Sequence, residues 1–264
     1  MADLGDHATR PYQEETVTRR TSHRRRCHEA VNTCAATHVV RANRSSGGTP
    51  SSWFRTGAPS EELNGVLRIG DASPHEIERL RTLVDGVPAS WHFWRDVDSP
   101  EIPDLLRRTG LALFETEPLM MLADPGRVVN GERDEPERIE TVTDDGGLAE
   151  WAGLWSGATD VAALVAGLRQ GMDRGSTRYL LWREGGEVLG CAAVVTSAAG
   201  ASLEHIVTRA DRRGQGIGSA LTRHALDLAL EAGARRVVLT ASPDGEGIYR
   251  RLGFVTVGHV ERYA

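Results

Sequence analysis

The sequence predicts a mixed α/β protein built as two units in tandem, each a sheet with helices packed on it. Three observations lead there. Residues 53–124 alternate strand and helix in the order β-α-β-α-β. A charged stretch with a proline and two glycines, 125–135, reads as a linker. Beyond it, 136–264 give a strand, two amphipathic helices, hairpin-linked strands, a glycine-rich turn opening a long helix, and two further strands.

At 264 residues there is room for one large or two small domains, and 40% hydrophobic content is enough for a true core. The net charge of −6 argues against nonspecific nucleic-acid binding, so no nucleic-acid partner is expected. All 31 basic residues are arginine, a bias of composition. Cys27, Cys34 and Cys191 are too few and too scattered for a disulfide framework. Cys27, Cys34 and His38 lie near one another, but at spacings unlike zinc motifs, and no metal is expected. No apolar run reaches 18 residues, and the polar N-terminus lacks a signal-peptide core. The expectation is a cytoplasmic protein with no membrane partner.

Residues 1–26, ending in Arg24-Arg25-Arg26, read as a disordered tail. The N-terminal unit is placed at 27–124. A helix is expected over 28–41, with Val31, Ala35 and Val39 on one face, then a Ser/Gly/Pro loop from Asn43 to Ser52. Strands follow at Asn64 to Ile69, Ser90 to Trp94 and Leu111 to Leu122. Between them, Ser73-Pro74-His75-Glu76 is a capping box for a helix with Ile77, Leu80 and Val84 inward. A second helix starts near Pro100 and stops at Gly110.

In the unit at 136–264, Arg138 to Val142 is a strand. Leu148, Trp151 and Trp155 mark one helix, and Val161, Leu164, Val165, Leu168 and Met172 the next. Tyr179 to Trp182, Val188 to Thr196 and Ser202 to Arg209 are strands, the first two joined by a turn at Glu184 to Glu187. A helix over about Gly216 to Ala232 ends at Gly233, and strands follow at Arg235 to Thr240 and Phe254 to Val260.

Chemistry concentrates in Val207-Thr208-Arg209-Ala210-Asp211-Arg212-Arg213-Gly214-Gln215-Gly216-Ile217-Gly218-Ser219, where a strand enters a glycine-rich turn and then a helix. Glycines let successive N–H groups converge, and the helix N-terminus adds unpaired donors and partial positive charge. That combination suits a phosphate or pyrophosphate. The spacing lacks the Gly-Lys-Ser/Thr of a P-loop and the glycine pattern of a dinucleotide fold.

Arg213-x-x-Gly216-x-Gly218, followed about thirty residues later by Tyr249-Arg250-Arg251-Leu252-Gly253-Phe254, resembles the acetyl-CoA signature and closing element of the GNAT acetyltransferases. The resemblance covers about half of the chain and implies a central mixed, mostly antiparallel sheet flanked by helices, with acetyl-CoA as co-substrate. It implies that the backbone of Ile206, Val207 and Thr208 pairs with the pantetheine arm. The pyrophosphate would lie over Arg213, Gly214, Gln215, Gly216, Ile217 and Gly218, with Ser219 adjoining and Ile217 offering only its N–H. Tyr249 matches the tyrosine near the coenzyme sulfur, where an acid must protonate the departing thiolate. The attacking amine must lose a proton, and Glu204 on the strand before the turn is the candidate base, a water chain being the alternative. His205 takes the opposite strand face and is the weaker choice. Ser242 departs from the family pattern, standing where many relatives carry asparagine seven residues before the tyrosine.

Residues 53–124 lack both motifs. The stretches Asn64-Gly65-Val66-Leu67 and Trp91 to Trp94 resemble the degenerate N-terminal half of tandem GNAT proteins, as in the mycothiol-synthase-like group. Such a half would wall the acceptor cleft, with Trp91, His92 and Trp94 either lining it or packing in the core. The implied reaction is direct transfer of an acetyl group to a primary amine through a tetrahedral intermediate. The acceptor, a small molecule or a peptide, is left open, as is the oligomeric state. A coenzyme-binding sensor without turnover and a mycothiol-type synthase stay as alternatives.

Overall fold

The computed structural model describes residues 22–35, 41–43, 50–122 and 136–264. Helix α1 spans 22–35, so it begins inside the stretch read as a tail; 1–21, 36–40 and His38 lie outside the described residues. It buries Cys27, Ala30, Val31, Cys34 and Ala35, so the expected face holds at Val31 and Ala35 and extends back to Cys27; Val39 lies outside the described residues. Small residues on this face allow close approach: a Cβ placed on Gly258 would stand 2.6 Å from Cys27 Sγ.

Strands β1 (Arg41–Asn43) and β2 (Ser51–Arg55) form an antiparallel pair where a loop was expected. Ser51 and Ser52 read as loop residues, yet both are buried. The Ser51 hydroxyl is bonded to Glu76 and accepts the Gly70 N–H at 2.9 Å, which removes its preference for solvent. Then come β3 (Asn64–Arg68), α2 (Pro74–Val84), β4 (Ser90–Trp94), α3 (Ile102–Arg108) and β5 (Leu113–Leu122). Only half of the expected capping box forms. Ser73 Oγ accepts the Glu76 N–H at 3.2 Å, but the Glu76 carboxylate is held by Arg79 at 2.6 and 2.7 Å and by Ser51.

The second half supplies β6 (Ile139–Thr141), α4 (Asp145–Ser156), α5 (Ala162–Asp173), β7 (Thr177–Glu184), β8 (Glu187–Ser197), β9 (Gly200–Thr208), α6 (Ile217–Glu231), β10 (Val237–Thr240), α7 (Glu246–Arg251) and β11 (Phe254–Tyr263). The short α7 was not read from the sequence. The residues expected as linker, 125–135, lie outside the described ones.

All described strands join one sheet, in the order β1-β2-β3-β4-β11-β5-β10-β9-β8-β7-β6. Only β3–β4 and β9–β10 are parallel, each pair bridged by a right-sized crossover helix, α2 or α6. The series β3-α2-β4-α3-β5 is thus repeated as β9-α6-β10-α7-β11. The final strand of each series pairs with the other series. β5 is antiparallel to β10, β11 is antiparallel to β4, and β5 and β11 pair along their length from Leu122↔Phe254 to Leu113↔Tyr263. The break at 125–135 therefore divides the chain without dividing the sheet.

Four sizeable cores cover this sheet. α6 and α7 close over β8, β9 and β10 around Leu180, Leu203, Leu221 and Leu239. α4 and α5 cover the β7–β8 side around Leu148, Trp151 and Leu181. α2 and α3 enclose Val66, Ile77, Leu80, Trp91 and Leu106. α1 lies across the exchanged strands, packing on Trp94, Leu119, Met121, Val238, Val257 and Val260. No described helix is long and apolar enough to cross a membrane.

Two outcomes follow. Residues 136–264 expressed alone lack β5, leaving β10 and β11 without their shared neighbour. Size-exclusion chromatography and circular dichroism should find aggregated or unfolded material, and adding back 22–122 in one chain should restore the native sheet. Second, Asp98 accepts the Trp94 N–H at 2.9 Å with a side chain only 2% exposed, and burial pushes its carboxyl up to about 6 from 3.8, against the pull of that bond and of Arg68. A raised carboxyl favours the protonated fold, so its contribution is complete below pH 4 and lost as pH rises through 6. Relative to Asp98→Asn, the wild type should lose up to about 3 kcal/mol of unfolding free energy across that window, read by urea titration.

Candidate active site

β9 pairs with β8 over most of its length, but with β10 only at Ala201↔Val237 and Ser202↔Val238. Past Leu203 the two parallel strands part, and no described strand pairs with the β10-facing edge of Glu204 to Thr208. A bulge opens this fork. The β8–β9 register shifts between Cys191 and Ala193, and His205 opposite it adopts φ +52°, a left-handed conformation that costs a non-glycine residue about 1 kcal/mol.

That edge leads straight into the glycine turn. A short 3-10 turn over Ala210–Arg212 follows β9, then Gly214 and Gly216 take φ +77° and +87°. A Cβ on either would meet nothing within 4 Å, so backbone conformation rather than space demands glycine there. Gly216 is the N-cap of α6, and no side chain caps the helix, so its first N–H groups have no side-chain partner. Ile217 is 3% exposed in the core with Ala220 and Leu221, which leaves only its main chain for a ligand. Gln215 is exposed and Ser219 half-buried on the first turn of α6. Arg213 is exposed, 3.6 Å from Asp244, and Arg212 lies 3.8 Å from Asp211. A Cβ on Gly218 would touch Thr208 Oγ1 at 3.4 Å, so the turn folds back on the end of β9. Ile206, Val207 and Thr208 thus lie on the strand edge that leads, through the turn, to the residues from Arg213 to Ser219.

Tyr249 projects from α7, which the Ser242 carbonyl and hydroxyl start by accepting the Gly245 N–H at 3.0 and 3.3 Å. Its ring is edge-on to Phe254 at 6.2 Å and packs so closely on Gly245 that a Cβ there would lie 2.9 Å away. Burial, with help from the charges of Glu117 and Glu204, pushes its phenol up to about 12, so it holds its proton at neutral pH.

Between the fork and the N-terminal half is a cleft lined by Cys34, Phe54, Glu61, Glu62, Leu67, Ser90, His92, Phe114, Glu204, His205, Thr240 and Arg262. Simple strand alternation put Glu204 and His205 on opposite faces. The bulge corrects this, and both line the cleft. Glu204 is bonded to the Ser202 hydroxyl. Of the β4 residues, His92 reaches the cleft, whereas Trp91 and Trp94 are core; Trp94 Nε1 donates to the Leu67 carbonyl at 2.7 Å.

Sequence reasoning missed the charged floor. Arg262 on β11 donates to Glu115 at 2.8 Å and to Thr240 Oγ1 at 3.0 Å, and pairs with Glu117 at 3.0 Å. Burial pulls this guanidinium down, and Glu117, Glu115, Glu62 and Glu204 together outweigh it. Burial also raises Glu117, despite Arg262. Glu62 comes from the loop after β2 and faces His205 Nδ1 at 3.1 Å. Burial raises its carboxyl, but the hydrogen bond and charge of His205 hold it below the ordinary value. The spacing Glu115-x-Glu117 was the only local hint, two acids on one face of a strand.

The Acetyltransferase (GNAT) family model matches residues 148–254, which span the fork, the glycine turn and Tyr249. No curated protein matches the chain. Among solved structures, a GCN5-related N-acetyltransferase from Kribbella flavida is 18% identical with a TM-score of 0.62, over 91% of this chain and 94% of that one. A GCN5-related N-acetyltransferase-like protein from Streptococcus suis 89/1591 is 16% identical with a TM-score of 0.58, over 92% and 98%. A functionally unknown conserved protein from Staphylococcus epidermidis is 10% identical with a TM-score of 0.55, over 84% and 92%. These are likenesses of fold, and they extend over both halves.

The seat of α6 is testable by one methyl group. A Cβ on Gly190 would lie 2.7 Å from Ile217 Cγ2, 2.8 Å from Leu221 Cδ1 and 3.2 Å from the Val207 carbonyl. Gly190→Ala should destabilise the protein by about 1–3 kcal/mol in urea unfolding. An unchanged midpoint would contradict this packing.

Proposed function

We propose that this chain, whose residues 148–254 form an acetyltransferase domain of the GNAT family, moves an acetyl group from acetyl-CoA to a primary amine. One observation carries the reading: the unpaired edge of β9 leads, through a short turn with two positive-φ glycines, to the uncapped N-terminus of α6. Ile206, Val207 and Thr208 then offer main-chain donors and acceptors to the amides of the pantetheine arm. The N–H groups from Arg213 to Ser219 meet the pyrophosphate, where the helix dipole favours negative charge. Arg213 adds a guanidinium at the rim.

With the coenzyme so placed, its thioester lies at the fork between β9 and β10. The amine enters from the acidic cleft and attacks the carbonyl carbon directly. Tyr249, protonated at neutral pH, gives its proton to the sulfur as the tetrahedral intermediate collapses. Glu204 or a chain of water molecules takes the proton of the amine in this scheme. Residues 136–264 act as the catalytic unit and 27–124 as a worn copy of it. The repeated strand–helix order supports this, because the earlier copy keeps the parallel pair and loses the glycine turn. In that arrangement the worn copy supplies a wall of the acceptor cleft, through Phe54, Glu62 and His92. The acceptor is a small molecule or a peptide bearing a primary amine.

Calorimetry with acetyl-CoA should show one-site binding to the wild type and none to Gly216→Glu, which fills the turn with a side chain and a negative charge. With a panel of primary amines, Tyr249→Phe should lower kcat about 10²-fold and leave acetyl-CoA binding intact. Binding without consumption of acetyl-CoA, unaltered in Tyr249→Phe, would replace the enzyme by a coenzyme sensor.

A further inference from the structure

The cleft contains a histidine–carboxylate pair that the scheme above does not use. His205 Nδ1 lies 3.1 Å from Glu62 Oε2. Its ring packs on Trp155, with centroids 4.7 Å apart, and stands edge-on to Trp151 at 5.6 Å and 83°. Trp151 is itself fully buried and anchored by its Nε1–H to the Ala192 carbonyl at 2.9 Å. Ring position is therefore set by a carboxylate and two indoles. The left-handed backbone of His205 is what brings this side chain to the cleft beside Glu204. The imidazole keeps 19% of its surface exposed, so a ligand in the cleft can reach it. Glu204, by contrast, is engaged by the Ser202 hydroxyl.

We propose that His205 is the proton acceptor of the acyl transfer, and that Glu62 of the N-terminal half is its positioning residue. The assignment rests on the acetyl-transfer reading above. With Nδ1–H donating to Glu62, the lone pair sits on Nε2. As the amine nitrogen bonds to the thioester carbonyl carbon, its proton passes to Nε2, directly or through one water. The C–S electron pair departs with sulfur, which takes the proton of Tyr249, and exchange with solvent resets both groups. The charged and titratable groups that share the cleft with His205 are Glu62 and Glu61 from the loop before β3, Glu204 on β9, His92 on β4, Arg262 on β11 and the Cys34 thiol on α1; α4 presents Trp151 and Trp155 to its ring. The carboxylates give the transient imidazolium its countercharge, and the half that lost its coenzyme turn still contributes to the chemistry.

The test has two arms on the full chain. Long-range proton–nitrogen NMR reads the His205 tautomer without any coenzyme or acceptor. The Nδ1–H form is expected in the wild type and in Glu62→Gln, which keeps an accepting oxygen, with a shift toward Nε2–H in Glu62→Ala. In the kinetic arm, acetyl-CoA and the amine panel are the probes. His205→Gln should lower kcat about 10²-fold with KM for acetyl-CoA unchanged and should lose the acidic limb of the pH–rate profile. Glu204→Gln should keep that limb and cost less than His205→Gln. An Nε2–H tautomer in the wild type, or turnover by His205→Gln with an unaltered rate and profile, would overturn the assignment alone. Failure of the wild type to bind acetyl-CoA in calorimetry would remove the transfer reading itself, and the assignment with it.

Discussion

The reciprocal pairing of β5 and β11 is the constraint on which the rest of this structure depends. Each closes the half it does not belong to by chain order, and together they form the centre of the sheet. A main-chain ladder of this length fixes the two halves rigidly, because sliding by one residue would turn every buried side chain outward. The cleft is positioned by this ladder. Glu117 and Arg262, two of its neighbours in charge, sit on the two exchanged strands themselves. α1 then covers the junction with Cys27, Ala30, Val31 and Cys34, which explains why a helix so near the N-terminus reaches the middle of the sheet.

Electrostatics in the cleft follows from that placement. Arg262 is buried and would be costly alone, but Glu115 and Thr240 accept from its two terminal nitrogens and Glu117 pairs with it in charge. It in turn permits several carboxylates to share a small volume. The excess of acid over base around it is what the proposed amine acceptor would need, since a cationic amine is attracted by it and then deprotonated. Tyr249, raised by burial and then by the charges of Glu117 and Glu204, keeps its proton at neutral pH, as the proposed donor to sulfur must.

Local chemistry was legible in the sequence, and non-local pairing was not. The turn from Arg213 to Gly218 could be read because glycine spacing, a preceding strand and a following helix all act within a few residues. Most strand spans came out within a few residues for the same reason, Ser90–Trp94 without error. The hairpin at β1 and β2 was lost because Ser51 and Ser52 are loop-formers whose hydroxyls gain partners only in the fold, from Glu76 and Gly70 for Ser51. The face of His205 was lost because a period of two is broken by a bulge, and histidine does not advertise a positive φ as glycine would. Glu62 and Arg262 carry no local signature, and Glu117 carries only its alternation with Glu115. Their proximity is created by strand order, and strand order in a sheet with exchanged ends cannot be inferred from nearest neighbours in sequence.

The exchange also dictates when the molecule can become itself. During synthesis β5 emerges early, yet both of its partners, β10 and β11, are made after the whole of α4 to α6. Until then a strand carrying Met120, Met121 and Leu122 waits with two bare edges, an adhesive surface for any other extended chain. Closing the centre means joining residues as distant as Leu113 and Tyr263, an entropic hurdle that slows the final step of assembly. A cell making this protein must therefore shelter a half-finished sheet until its last strand is made.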